Sequence, residues 1–315
     1  MRYLFLLLFA IGLGFSGNSQ NTTNPITEDN LKQLKTYEDS LHVLSYHVLR
    51  DEKSEERYYA CQSLIKTFVK ALKIKDSFQY KFDSVRHVSI MYPADSSFRV
   101  ITWQLFVNSN DYRYYGAIQM NTSDLKLFPL SDRSSQMEAA ERKIVNNRQW
   151  YGALYYNIKQ IDTPNGAYYT LFGFDNLGVL TRRKVIDVLS FNEDGKPQFG
   201  APIFMKKNEQ TMKETTKNRV IMEYSAEGSI TCNYSDEYGL IIFDNLIRIS
   251  GGLKGQGMMN VSDGSYHGYK FNGVKWVYVD KVFHDFQESA PREKPVLDNR
   301  KDGLFGPGRK NKKRK

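Results

Sequence analysis

Residues 263–279, DGSYHGYKFNGVKWVYV, carry the side chains best suited to binding chemistry in this chain. Tyr269, Phe271, Trp276 and Tyr278 alternate on either side of Asn272-Gly273. Alternate side chains of a strand share one face, and Asn-Gly marks a two-residue hairpin turn. Cross-strand aromatic packing accounts for the type and spacing of the four rings. Exposed together, the same rings would form a platform for a sugar or a peptide. Tyr269, Phe271, Trp276 and Tyr278 are therefore the candidate ligand-binding residues. Asp263, Gly264, Ser265 and His267 precede them, and Asp263 is placed to cap a turn. The full spacing of a calcium loop is absent.

Other reactive types are present without a catalytic arrangement. Glu193 and Asp194 are adjacent carboxylates in FNEDGKPQFGAPIF. A glycosidase pair must flank the scissile bond, so neighbours on one tight turn read as a solvated turn. GFDNLG, residues 173–178, reads as a second acidic turn. GGLKGQG, residues 251–257, lacks the Gly-Lys-Ser/Thr ending of a phosphate loop. Neither HExxH nor Gly-x-Ser-x-Gly occurs. His42 and His47 belong to helix packing or its edge, and His267 and His284 are too few for a zinc site. Cys61 and Cys232 read as buried free thiols. No catalytic, metal or cofactor-binding residue is assigned, and no cofactor is implied.

The elements that must position these residues fall into two groups. Leu31, Leu34, Tyr37, Leu41, Leu44 and Val48 repeat at three or four, as do Tyr58, Cys61, Ile65, Phe68 and Leu72. A short charged turn between them predicts an antiparallel helical hairpin. From about residue 85 the pattern changes to short strands. SFRVITWQLFV and YRYYGAIQM flank NSND as a hairpin. QWYGALYYNIKQI, GAYYTLFGFD, TRRKVIDVLSF, PQFGAPIF, NRVIMEYSA, SITCNYS and YGLIIFDNLI follow, separated by turns. One helix is expected to interrupt them at 134–148, capped by Ser134 or Ser135. The predicted fold is mainly β, α+β overall. An antiparallel meander forms a curved sheet, sandwich or incomplete barrel, with the helical hairpin covering one end or face.

Composition sets the address. Met1 is followed by Arg2, an apolar run over 3–15 and small polar residues, the pattern of a secretory signal peptide. The expected organisation is a signal peptide at 1–20, a polar linker and helical hairpin at 21–84, a β-rich domain at 85–290 and a flexible basic tail at 291–315. The formal charge of +9 is concentrated in residues 300–315, which hold eight basic residues and one acid. The body is close to neutral, which argues against nucleic acid as a partner. A basic tail attracts anionic surfaces, lipid headgroups included, without selecting among them.

SFRVITWQLF, YTLFGFD, VIDVLSFNEDGKPQFGAPIF, RVIMEYSAEGSITCNY and DGSYHGYKFNGVKWVYV occur in this order over residues 90–280. Together they resemble a group of uncharacterised exported proteins of Bacteroidota. The resemblance implies a Gram-negative envelope or secreted address and carries over no catalytic residue. The basic C-terminus differs from a folded sorting domain, which favours retention in the periplasm or on a membrane face there. The expected function is non-catalytic binding or structural service, with an envelope protein or a glycan as partner. The alternatives are a hydrolase or carbohydrate-active protein with a cleft between sheet loops, and a small-ligand carrier.

Overall fold

The computed structural model describes residues 25–164, 166–207, 210–251 and 257–283. The expected signal peptide at 1–20 and the expected basic tail at 291–315, together with His284 and residues 252–256, lie outside the described residues.

Two helices open the fold. α1 (Glu28–Arg50) begins at Thr27, whose side chain accepts from the Asn30 N–H at 3.4 Å. Glu28 and Asp29 occupy its first turn, where the unpaired N–H groups favour acids. α2 (Ser54–Leu72) returns alongside it. Leu34, Leu41 and Val48 of α1 bury together with Cys61, Leu64, Phe68 and Leu72 of α2. Arg57 is buried between this hairpin and the strands. It donates to the carbonyls of Glu52 at 2.9 Å, Phe106 at 2.6 Å and Val107 at 2.8 Å.

The first sheet follows as an ordered meander of β1 (Ser89–Met91), β2 (Phe98–Asn108), β3 (Asp111–Met120) and β4 (Leu127–Ser131). Strand alternation divides its side chains. Ile101, Trp103, Leu105 and Tyr115 meet the helices. Phe98, Val100, Tyr114, Ile118 and Leu130 face the next layer.

β5 (Val145–Asn146), β6 (Leu154–Thr163), β7 (Gly166–Asp175), β8 (Thr181–Phe191) and β9 (Pro197–Phe199) build a middle sheet in the order β5-β9-β8-β7-β6. Its residues alternate between Tyr169, Leu171 and Leu189, which meet the first sheet, and Phe172, Ile186 and Val188, which face away from it. A bulge between Tyr155 and Asn157 shifts the alternation of β6. Tyr155 and Ile158 both join the first interface, and Ile161 joins the second.

β10 (Phe204–Lys207) and β11 (Glu214–Lys217) then start a third sheet. β12 (Val220–Ser225) returns to the middle sheet against β8. β13 (Cys232–Ser235), β14 (Leu240–Ser250), β15 (Met258–Phe271) and β16 (Trp276–Val279) complete the third sheet, ordered β11-β10-β16-β15-β14-β13. The pairing is antiparallel except between β10 and β16, where Phe204 pairs with Trp276 in parallel, and at a lone parallel bridge from Asp132 to Trp150. The sequence of layers is helical hairpin, sheet, sheet, sheet, with an apolar core in each interface. The α+β meander is as expected from the sequence, and the sheets do not close into a barrel.

Three local expectations are corrected. Residues 134–148 form short 3-10 turns at Ser134–Gln136 and Ala140–Arg142. Asp132 Oδ1 accepts the Ser134 N–H and hydroxyl at 2.9 and 2.7 Å, and buried Arg219 donates to the Ala140 carbonyl at 2.8 Å. The local Asp132 turn and the long-range Arg219 bond, with Ala139 at φ 48°, hold the segment as a strap. PQFGAPIF is two strands, because Gly200 at φ 89° turns the chain out of the middle sheet. A β carbon there would lie 2.6 Å from the Lys143 carbonyl oxygen. The loop at Asn272-Gly273 has four residues, since Phe271 pairs directly with Trp276. Asn272 Oδ1 accepts from the N–H groups of Val274 and Lys275 at 3.0 and 2.8 Å, and Gly273 takes φ 92°.

Candidate functional site

The hairpin of β15 and β16 brings the four aromatic candidates together as the alternation requires. Tyr269 pairs with Tyr278, and Phe271 with Trp276. All four point into the core between the second and third sheets. Tyr269 is 6% exposed and Trp276 1%, while Phe271 and Tyr278 are half-buried at its edge. The Trp276 indole N–H donates to Thr170 Oγ1 of β7 at 3.1 Å, tying the hairpin to the middle sheet. The quartet is thus interior packing with one edge towards solvent, and it presents no open platform.

That edge carries a polar group. His267 Nδ1 meets the Tyr278 hydroxyl and lies 3.2 Å from Asp280 Oδ1. Lys206 Nζ stands 4.0 Å from the Tyr278 ring centroid. Burial, with Asp280 beside it, pushes the Tyr278 hydroxyl up to about 12, and burial lowers the His267 imidazole. Asp263 caps its turn as expected, accepting the Ser265 N–H at 2.9 Å and hydroxyl at 2.7 Å.

An open cleft lies at the end of the middle sheet where the β6–β7 and β8–β9 connections meet. It encloses about 660 Å³ and is lined by Gly166, Tyr168, Ser190, Asn192, Glu193 and Gln198 among others. The register explains its floor. Ser190 pairs with Gln198, and Tyr168 and Ser190 stand one step beyond the Tyr169–Leu189 pair. Tyr168, Ser190 and Gln198 therefore form a row across β7, β8 and β9. The row lies on the face that bears Thr170 and Val188, one pleat repeat from the Trp276 hydrogen bond. All three are half-buried. No described residue hydrogen-bonds their side chains, so a phenol, a hydroxyl and a carboxamide are left free in one concavity.

The turn at 192–196 forms the rim. The Gly195 N–H donates to the Asn192 carbonyl at 2.8 Å, and Asn192 Oδ1 accepts the Lys196 N–H at 2.8 Å. Glu193 and Asp194 project from it, exposed, and Lys196 Nζ lies 3.4 Å from Asp194. The predicted solvated turn is present, and it borders a cleft that the sequence did not announce. Strand alternation fixes the face of each residue only within its own strand, and the pairing of β7, β8 and β9 brings Tyr168, Ser190 and Gln198 side by side.

The strongly perturbed carboxyls lie elsewhere. Asp175 ends β7 and is 5% exposed, so GFDNLG is no solvated turn. Burial raises its carboxyl from 3.8 to about 6, against the opposing pull of Arg183, whose Nη1 is 3.7 Å away. Tyr151 donates to it at 3.3 Å. Asp187 and Arg219 form a fully buried ion pair at 2.8 Å. Both cysteines are buried free thiols, as expected. His42 Nδ1 meets the Ser84 carbonyl at 2.6 Å and His47 Nδ1 meets Asp51 at 2.6 Å, both on the edge of the helical hairpin. Among the described residues no cluster of His, Cys, Asp and Glu is arranged to hold a metal ion, and no helix is long and apolar enough to cross a membrane.

Fold and site together define a layered α+β protein with an open, uncharged polar floor and a charged rim at one sheet end. Comparison of the chain with protein-family models, with curated proteins and with solved structures gave no match.

Proposed function

We propose that this is a non-catalytic binding protein of the bacterial envelope that recognises a glycan in the cleft of the middle sheet. The observation that carries the reading is the row Tyr168, Ser190 and Gln198, half-buried, side by side and without hydrogen-bond partners among the described residues. Sites of this composition suit hydroxyl-rich ligands, because each free donor or acceptor replaces one bond to water. The envelope address rests on the N-terminal signal pattern and on the family resemblance.

Binding without turnover is favoured over hydrolysis by the placement of the carboxyls. A general acid working near neutral pH needs a raised carboxyl within reach of the bond. Asp175 has that character, but it lies six positions along β7 from Tyr169 at the cleft, roughly 20 Å along an extended strand. Glu193 and Asp194 share one exposed turn instead of flanking a bond.

Affinity electrophoresis of the full chain through gels containing envelope polysaccharides tests the reading, with mass spectrometry of oligosaccharides incubated with the protein. Retardation by a glycan with no change in oligosaccharide mass is expected. Cleavage products that disappear in a Glu193→Gln variant would establish the hydrolase instead.

A further inference from the structure

We propose that the cleft takes an extended, unbranched pyranose chain lacking acidic sugars, and that this chain lies across the strands of the middle sheet. The inference rests on the glycan-binding reading above and specifies its ligand.

Three observations carry it. The first is spacing. Tyr168, Ser190 and Gln198 come from three neighbouring strands. Neighbouring strands lie about 4.8 Å apart, close to the advance per sugar of an equatorially linked pyranose chain. A chain laid perpendicular to β7, β8 and β9 would bring one sugar over each side chain in turn. A chain laid along a strand would meet only one of the three.

The second observation is the type of each group. The Tyr168 phenol and the Ser190 hydroxyl donate and accept, and the Gln198 carboxamide offers both a donor and an acceptor. This inventory matches sugar hydroxyls, which also do both. None of the three is charged, so the floor offers no counter-ion for a carboxylate or sulfate.

The third is the rim. The ionised groups that line the cleft are Glu193 and Asp194, while Lys196 lies 3.4 Å from Asp194 and the Lys126 ammonium stands beside Gly195 of the same turn, both outside the lining. Glu193 makes no ion pair among the described residues. Inside the cleft an acidic sugar meets the two carboxylates, whereas an amino sugar finds a partner, and the two lysines outside the lining reduce the difference. Both rim acids are exposed, so the preference is modest and weakens with salt.

The test is calorimetric titration of the full chain with cello-oligosaccharides, chitosan oligosaccharides and β-1,4-linked oligoglucuronides, which share one equatorial linkage and differ in charge, from monomer to hexamer. Affinity should rise from monosaccharide to trisaccharide and then level, because three strands carry the row. Neutral and amino oligomers should bind, and the oligoglucuronides up to about fivefold more weakly at low salt. Glu193→Gln should narrow the gap between amino and acidic oligomers by about two- to fivefold. Ser190→Ala and Gln198→Ala should each weaken trisaccharide binding with the thermal midpoint unchanged. Equal affinity for the oligoglucuronides, or a monosaccharide as tight as the trisaccharide, would overturn the proposed ligand while leaving glycan binding intact. Binding insensitive to Ser190→Ala and Gln198→Ala, or no binding by any of the saccharides, would remove the cleft reading and this inference together.

Discussion

Asp175→Asn should stabilise the protein at neutral pH and flatten its response to pH between about 4 and 6. The wild-type carboxyl is 5% exposed, and burial lifts it from 3.8 to about 6, with Asp132 adding to the rise. Below pH 3.8 the native and unfolded chains both hold this proton. Between 3.8 and 6 only the native chain holds it, so unfolding releases a proton and stability falls as pH rises. Above 6 both states are ionised, and the whole loss, on the order of 3 kcal/mol, is present. Asparagine keeps the shape and a carbonyl for the Tyr151 hydroxyl, which bonds Asp175 at 3.3 Å, and it cannot ionise. Arg183 would not be orphaned, because it also grips Glu223 through Nε at 2.9 Å and Nη2 at 2.7 Å. The assay is urea unfolding of wild type and variant from pH 3.5 to 7.5. The difference between the two curves isolates this group from other titrations, including the opposing one of His267, whose lowered imidazole makes stability rise with pH. The variant should gain up to about 3 kcal/mol at pH 7.5, roughly 5–10 °C in thermal midpoint. Curves that stay parallel across the range, or a variant less stable at pH 7.5, would refute the reasoning.

Other sites give predictions of the same kind. Trp276→Ala should cost about 3–5 kcal/mol in chemical denaturation, because the ring is 1% exposed in the core of the second and third sheets. Trp276→Phe should cost about 1–3 kcal/mol by leaving the buried Thr170 hydroxyl without its indole donor. Gly200→Ala should destabilise by at least about 1–3 kcal/mol, since φ is 89° and the added carbon would meet the Lys143 carbonyl. Arg219→Met should cost about 3–5 kcal/mol by stranding buried Asp187, and Arg219→Met with Asp187→Leu should recover most of it.

The sequence made the architecture legible where side-chain period and turn chemistry agree. The leucine stripes of the helical hairpin, the β2–β3 hairpin and the aromatic alternation around Asn272 all reappear in the structure. It failed where a long-range bond overrides local preference. Residues 134–148 have helical composition, but Arg219, in the bend between β11 and β12, claims the Ala140 carbonyl and the helix does not form. The change of sheet at Gly200 was hidden because Pro197 to Phe204 reads as one apolar run. The cleft was less legible still. Its floor depends on the order β9-β8-β7, which no period within a segment encodes. The conspicuous rings drew attention to the hairpin, while the free polar groups stood one row away on the neighbouring sheet. Asp175 shows the converse, a carboxylate read as surface because Asn176 and Gly178 follow it, yet enclosed by Tyr114, Tyr151 and Arg183.

Hydrogen exchange of the full chain, with and without saturating cello-oligosaccharide, locates the saccharide on the fold. Binding in the cleft slows exchange at residues 166–169 and 190–198 and leaves the hairpin at 269–278 unchanged. Protection confined to 269–278 would contradict it, because the saccharide would then be held by the aromatic quartet.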